Sequence, residues 1–189
     1  SVNGTTINLT DGGDIRSETG MLDPDSGEFV GGTGQGGNLS VIATESVLVS
    51  GLSGFSRSGM SSTVFAGGDG GAITVTSPSI TVEDAGLIRS VTVGDGASGN
   101  ILLEAADSLT VQGFRDVTFP GAPLFRVQSS VIAETQAAGD SGAITVIGGA
   151  ITLAEEGRIQ TVTGADGRAG NLTVNGSTIE LSGGGFIEA

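Results

Sequence analysis

The chain has no cysteine, no histidine, no tryptophan and no tyrosine, and its seven basic residues are all arginine, so lysine is absent as well. Without cysteine there is no disulfide and no thiolate chemistry. Without histidine the commonest general base and metal ligand is missing, and neither a Ser-His-Asp nor a Cys-His mechanism can be assembled. No apolar run reaches the roughly 18 residues a membrane-spanning helix needs, so no membrane insertion is expected. The opening Ser1-Val2-Asn3-Gly4 carries neither the basic nor the apolar segment of a targeting signal. Positive charge is also scarce: seven arginines stand against 21 acidic residues, a net charge of −14. That balance argues against nucleic acid and against anionic membrane surfaces, both of which need a basic face.

Glycine is abundant instead, at 35 of 189 residues, about 19% against an average near 7%. It does not recur at every third position, which excludes collagen. The hydrophobic fraction of 37%, rich in Val, Ile and Leu, argues for a folded chain rather than a disordered one.

One phrase recurs: Gly, then Asn or Ala, then alternating aliphatic and other residues. It reads Gly37-Asn38-Leu39-Ser40-Val41, Gly71-Ala72-Ile73-Thr74-Val75, Gly99-Asn100-Ile101-Leu102-Leu103, Gly142-Ala143-Ile144-Thr145-Val146 and Gly170-Asn171-Leu172-Thr173-Val174. A second follows each: Val47-Leu48-Val49, Ile80-Thr81-Val82, Leu109-Thr110-Val111, Ile151-Thr152-Leu153 and Ile179-Glu180-Leu181. A third reads Ile88-Arg89-Ser90, Ile132-Ala133-Glu134, Ile159-Gln160-Thr161 and Ile187-Glu188-Ala189. Equivalent aliphatic positions fall at Val2, Val41, Val75, Leu103, Val146 and Val174, with 28 residues as the minimal step. Residues 1–17 align without a gap on 173–189.

Alternation at period 2 with β-branched residues marks strands with one buried face. Three short strands per repeat cannot bury that face alone. Stacking the repeats about 4.8 Å apart buries it as one column. The expected fold is therefore all-β: a parallel β-helix, or β-solenoid, with three short strands per coil and five to six coils in a single domain over 1–189. A sandwich of hairpins is the alternative, but it leaves the matching triplets unexplained. Insertions interrupt the plain repeat at 20–36, 51–66 and 113–130. Both chain ends lie inside the repeat and in matching phase. The expectation drawn from this is an interior fragment of a longer solenoid, with continuation of the same solenoid or end-to-end self-association at the two open ends.

The succession Gly-Asn-(Ile/Leu)-x-Val, (Ile/Leu)-Thr-(Val/Leu) and Gly-x-Ile-x-(Ser/Thr)-x-Thr-Gly, the last carried by 13–20, 86–93 and 157–164, resembles the filamentous-haemagglutinin-like repeats of large two-partner-secretion and S-layer-like exoproteins of cyanobacterial type. The resemblance covers nearly the whole chain and identifies a repeat class rather than a ligand. It implies a right-handed β-helix, export through an outer-membrane partner to the cell surface or medium, and a role in adhesion or extracellular matrix. The insertions depart from the pattern, and the resemblance implies nothing about them.

Few residues suggest chemistry. The third phrase sets Ser17 and Thr19, Ser90 and Thr92, and Thr161 and Thr163 on the inner face, where hydroxyls would satisfy neighbouring coils. Asn38, Asn100 and Asn171 share a column suited to bonding turn backbone. Arg16, Arg57, Arg89, Ala133, Gln160 and Glu188 are expected to form one outer column, which decays too fast to make a lyase-type cluster. Glu155 and Glu156, if in a strand, point to opposite faces and form no acid pair. Asp23, Asp25 and Glu28 resemble the start of a Ca²⁺ loop but lack its later ligands; they are the weak metal candidate, and otherwise no cofactor is expected. The insertion 113–130 holds Phe114, Phe119 and Phe125 with Pro120, Pro123 and Leu124, the candidate contact for a surface protein or glycan. The functional expectation is a non-catalytic structural or adhesive rod segment. The alternatives are a binding module using 113–130 and, behind both, a polysaccharide-active enzyme.

Overall fold

The computed structural model describes residues 1–23, 25–27, 29–30, 34–118, 121 and 123–189, with backbone alone at 21, 22, 29 and 30. Strands β1 (Val2–Thr10) and β2 (Asp14–Thr19) are followed by a hairpin of β3 (Met21–Leu22) and β4 (Phe29–Val30). The next repeat brings β5 (Leu39–Ser50), a hairpin of β6 (Leu52–Ser53) and β7 (Ser56–Arg57), and β8 (Gly59–Val64). Strands β9 (Ile73–Glu83) and β10 (Leu87–Thr92) follow without insertion. After β11 (Ile101–Gln112) comes the hairpin of β12 (Phe114–Val117) and β13 (Phe125–Gln128), then β14 (Ser130–Thr135). The order ends with β15 (Ile144–Ala154), β16 (Arg158–Thr163), β17 (Leu172–Leu181) and β18 (Phe186–Glu188). Among the described residues no helix is long and apolar enough to cross a membrane.

The long strands form one six-stranded sheet, β1-β5-β9-β11-β15-β17, and the short ones a second, β18-β16-β14-β10-β8-β2; neighbours in both are parallel. Each repeat thus gives one strand to each sheet, the arrangement of a β-solenoid. The first two sequence phrases are not separate strands. They run on as one long strand, and the pairing shifts between them, for example between Ala105 and Ser108. Pro78 falls at this break, between the paired Ser77 and Ser79, where no ladder N–H is required of it.

The first and second phrases pair residue for residue as their sequence alignment requires. Val2, Val41, Val75, Leu103, Val146 and Val174 form one column, and Ile7, Val47, Ile80, Leu109, Ile151 and Ile179 another. From the second sheet Ile15, Met60, Ile88, Val131, Ile159 and Ile187 face them. The middle members of all three columns are fully buried, each contributing about 1.5–3 kcal/mol by leaving water.

The third phrase needs two corrections. Residues 59–64 are β8, a regular strand between β2 and β10, so only 51–58 of the segment 51–66 is insertion. Met60 holds the column where the other repeats have Ile or Val, which hid the strand. In β14 the inward residue is Val131, not Ile132. The tandem Val131-Ile132 makes alternation ambiguous, and the crowded next position decides it, because there Ser62, Ser90, Ala133 and Thr161 share one row of small side chains. The outer column is consequently Arg16, Ser61, Arg89, Ile132, Gln160 and Glu188. Arg57 belongs to a hairpin, and Ala133 points inward.

Two corners hold the repeats at one strand spacing. At the first, loops stack so closely that a Cβ on Gly99 would run into the carbonyl oxygen of Gly71, and one on Gly142 into that of Gly99. The inward hydroxyls serve these loops. Ser62 Oγ accepts from Gly71 N at 3.0 Å and Ser90 Oγ from Gly99 N at 2.8 Å. Where Ala133 has no hydroxyl, Ser98 Oγ accepts from Gly142 N at 2.7 Å instead. Asn38 and Asn100 each accept from the backbone of the following repeat, Ala72 N and Ala143 N, at 2.8 Å. Asp69 likewise accepts from Ala97 N, and Asp140 from Arg168 N.

At the second corner, between long and short strands, four repeats turn through a pair of residues with positive φ: Asp11-Gly12, Asp84-Ala85, Glu155-Glu156 and Gly183-Gly184. Each turn closes with a hydrogen bond, such as Gly86 N to Glu83 O at 2.8 Å, the tight form that needs two left-handed residues. Glu155 and Glu156 are therefore turn residues, not strand residues on opposite faces.

Gly99→Ala should lower stability by about 2 kcal/mol or more through overpacking, whereas Gly67→Ala, with nothing within 4 Å of its added Cβ, should be nearly neutral. Denaturant titration of the two variants checks this. Glu155→Gly, relieving a φ of 47°, should hold or raise stability by up to about 1 kcal/mol, read as a shift in the same unfolding midpoint.

Candidate functional site

The remaining two repeats open the second corner instead of turning it. Gly51 (φ 85°) and Gly113 (φ 79°) start the β6–β7 and β12–β13 hairpins where Asp84 and Glu155 start plain turns. The hairpins project from the same corner of alternate repeats, with Asp84-Ala85 between them. Each is closed by a buried serine that accepts from the plain turn of the preceding repeat: Ser58 Oγ from Gly12 N at 2.9 Å, and Ser129 Oγ from Ala85 N at 3.0 Å.

Between the hairpins lies a cleft of about 210 Å³ lined by Leu52, Gly54, Phe55, Arg57, Val117, Phe125 and Val127. The β12–β13 register places Phe114, Asp116, Arg126 and Gln128 on one hairpin face and Arg115, Val117, Phe125 and Val127 on the other. Phe114 and Phe125 are thus separated. Phe125, 59% exposed, belongs to the cleft. Phe114 is half-buried beneath the Arg126 guanidinium, which lies 3.8 Å from its ring centre. Phe119 and Pro120 lie outside the described residues. The aromatic residue that joins Phe125 at the cleft is Phe55, 78% exposed. Gly51 and Gly113, each directly after a second-phrase strand, are the sequence signal that could have paired the two insertions.

Arg57 ties the cleft to the rod. Its Nε donates to Ala85 O at 2.7 Å, and its Nη2 to Gly86 O at 2.9 Å, Gln128 O at 2.6 Å and Ser130 Oγ at 3.0 Å. None of these bonds uses Nη1. Among the described residues no carboxylate forms an ion pair with Arg57. Burial, reinforced by the charges of Arg158 and Arg89, pushes its guanidinium down to about 10. It therefore stays charged at neutral pH. Arg89 pairs with Glu134 at 3.2 Å, but Nε of Arg89 and Nε of Arg158 are buried without a hydrogen-bond partner among the described residues.

The second hairpin is secured differently. Arg126 pairs with Asp116 at 2.9 Å and Glu156 at 2.7 Å, Gln128 Nε2 donates to Glu156 at 3.1 Å, and Arg115 reaches Asp84 at 3.0 Å. The bond from Arg126 holds the Asp116 carboxyl below the usual range.

At the calcium candidate, Asp23 accepts from Asp25 N and Ser26 Oγ, both at 2.9 Å, in a local turn that lowers its carboxyl. Glu28 lies outside the described residues. Among the described residues no group of three or more acidic side chains is placed to hold a metal ion.

Arg57→Lys keeps the charge but cannot hold the carbonyls of Ala85, Gly86 and Gln128 as a fork. It should cost about 1–3 kcal/mol and speed amide exchange in β6–β7, whereas exposed Arg16→Lys should be near neutral; thermal melts and hydrogen exchange check both. Comparison of the chain with protein-family models, with curated proteins and with solved structures finds no match.

Proposed function

We propose that this chain is a non-catalytic structural or adhesive rod segment of a secreted or cell-surface exoprotein. The observation that carries the reading is the set of aliphatic columns running through all six strands of both sheets. Such a column makes length and stiffness from repetition and needs no site. The crossings between parallel strands favour a right-handed coil, and the repeat steps give five whole coils and most of a sixth. The likeness to filamentous-haemagglutinin-like repeats supports export and a surface role. The acidic surface suits solubility.

A second reading, a binding module, is favoured by one observation: Phe55, Leu124 and Phe125 stand 78%, 59% and 59% exposed on or beside the two hairpins, where apolar surface marks contact sites. In that reading the hairpins touch a surface protein or glycan while the rod carries them. An enzyme on polyuronates would need arginines and carboxylates converging in a groove. The Arg16, Ser61, Arg89, Ile132, Gln160 and Glu188 column offers no such set.

Antibodies to this chain should label intact cells of its source; labelling only after permeabilisation overturns the surface placement. Incubation with polygalacturonate should release no new chain ends. Products that disappear in Arg89→Ala would show a catalyst.

A further inference from the structure

The hairpins meet the plain turns beyond them in two different ways. The β12–β13 hairpin approaches the turn Glu155-Glu156, and Glu156 receives both Arg126 and Gln128. The β6–β7 hairpin approaches the turn Asp84-Ala85 of the same form. Arg57 stands directly before the closing Ser58 as Gln128 stands before Ser129. Yet the position equivalent to Glu156 is Ala85, which offers Arg57 only its carbonyl oxygen. Arg57 thus stands where the second hairpin sets Gln128 against an acid, and among the described residues no acid faces it. Among the described residues none of its hydrogen bonds uses Nη1, and the other walls of the cleft that Arg57 lines are Leu52, Phe55, Val117, Phe125 and Val127.

The geometry points to a binding site for a small amphipathic monocarboxylate, its acid head on Arg57 and its apolar tail between the hairpins. A charge-assisted hydrogen bond to a guanidinium is among the stronger polar contacts available, and more so where water is partly excluded. The remainder of the cleft is hydrocarbon and aromatic, so an anion without a tail leaves it unfilled. At about 210 Å³ it is smaller than the usual drug-sized pocket, which suits one short chain or ring. The charges of Arg158 and Arg89 reach Arg57 in a chain whose net charge is −14, although Arg89 is itself paired with Glu134. Burial, which lowers the Arg57 guanidinium to about 10, leaves its charge partly out of water, and among the described residues no carboxylate pairs with it. The assignment goes beyond the rod reading and does not depend on it.

Octanoate is the probe. The chain has no tryptophan, so Phe125→Trp places a single fluorophore at the cleft. Titration should give a saturable change with octanoate, about tenfold tighter than with octanol or octylamine, the ratio expected of one good ionic contact. Equal response to octanol, or no saturable response below the onset of micelles, overturns the site. Arg57→Met in the same background should abolish the preference for the acid over octanol. Because that variant also loses the carbonyl bonds, Leu52→Asp serves as a second test. Leu52 is the cross-strand partner of Arg57, so the new carboxylate supplies the missing acid from within and leaves the fork in place. It should weaken octanoate about tenfold or more with the circular dichroism unchanged. Undiminished binding in a folded Leu52→Asp protein overturns the assignment.

Discussion

Neighbouring repeats lie one strand spacing apart in both sheets, and the loops of the first corner have to match that spacing as closely as the strands do. Strands meet the condition easily, because ladder hydrogen bonds set it. Loops meet it only where no side chain intervenes. The stack of Gly71, Gly99 and Gly142, in which each added Cβ would strike the carbonyl of the preceding repeat, is that condition in its most demanding form. The inner hydroxyls of Ser62 and Ser90, the turn acids Asp69 and Asp140, and the Asn38 and Asn100 amides all bond the loop N–H groups this close packing would otherwise strand. The aliphatic columns follow: once the spacing is fixed, equivalent residues lie over one another and their burial becomes continuous.

The second corner is looser. There the chain needs only a reversal, which two left-handed residues provide, even when they are Glu155 and Glu156 rather than glycine. A corner that tolerates such variety also tolerates being opened, and two repeats open it into hairpins. The plain turn lying between them makes the cleft: hairpins from adjacent repeats would be one strand spacing apart, closer than facing sheets pack, whereas hairpins from alternate repeats leave room for side chains to face one another. The same arrangement brings Arg57 across two repeats to Gln128 and Ser130, so the hairpins are braced by the rod.

Charge is distributed by the same logic. Most of the acids stand on turns and outer faces, where water screens them. The arginines are few and are used individually: Arg126 across Asp116 and Glu156, Arg115 on Asp84, Arg89 on Glu134. Arg57 instead directs its fork to the carbonyls of Ala85, Gly86 and Gln128 and to Ser130 Oγ.

The repeat, its parallel stacking and the inward faces of the first two phrases were legible in the sequence, because alternation of Val, Ile and Leu with other residues is a local property of each strand. Val41, Val75, Leu103 and Val146 could be aligned by eye. Where alternation is ambiguous, as at Val131-Ile132, or disguised, as at Met60, it does not determine the register. There the choice is made by room in the neighbouring repeat for a small residue, which no single strand encodes. The candidate site is half visible in the sequence: Phe125 stands out, but its neighbour in sequence Phe114 lies on the opposite face of the antiparallel hairpin. Its actual companion, Phe55, is 70 residues away in sequence. Alternation and glycine content by themselves determined that this chain stacks parallel strands around an aliphatic column. Only the tertiary structure decided that two distant hairpins share a corner and that Arg57 faces Ala85 where its counterpart faces an acid. Contacts between repeats depend on stacking geometry, and stacking geometry exists only once all the repeats are in place.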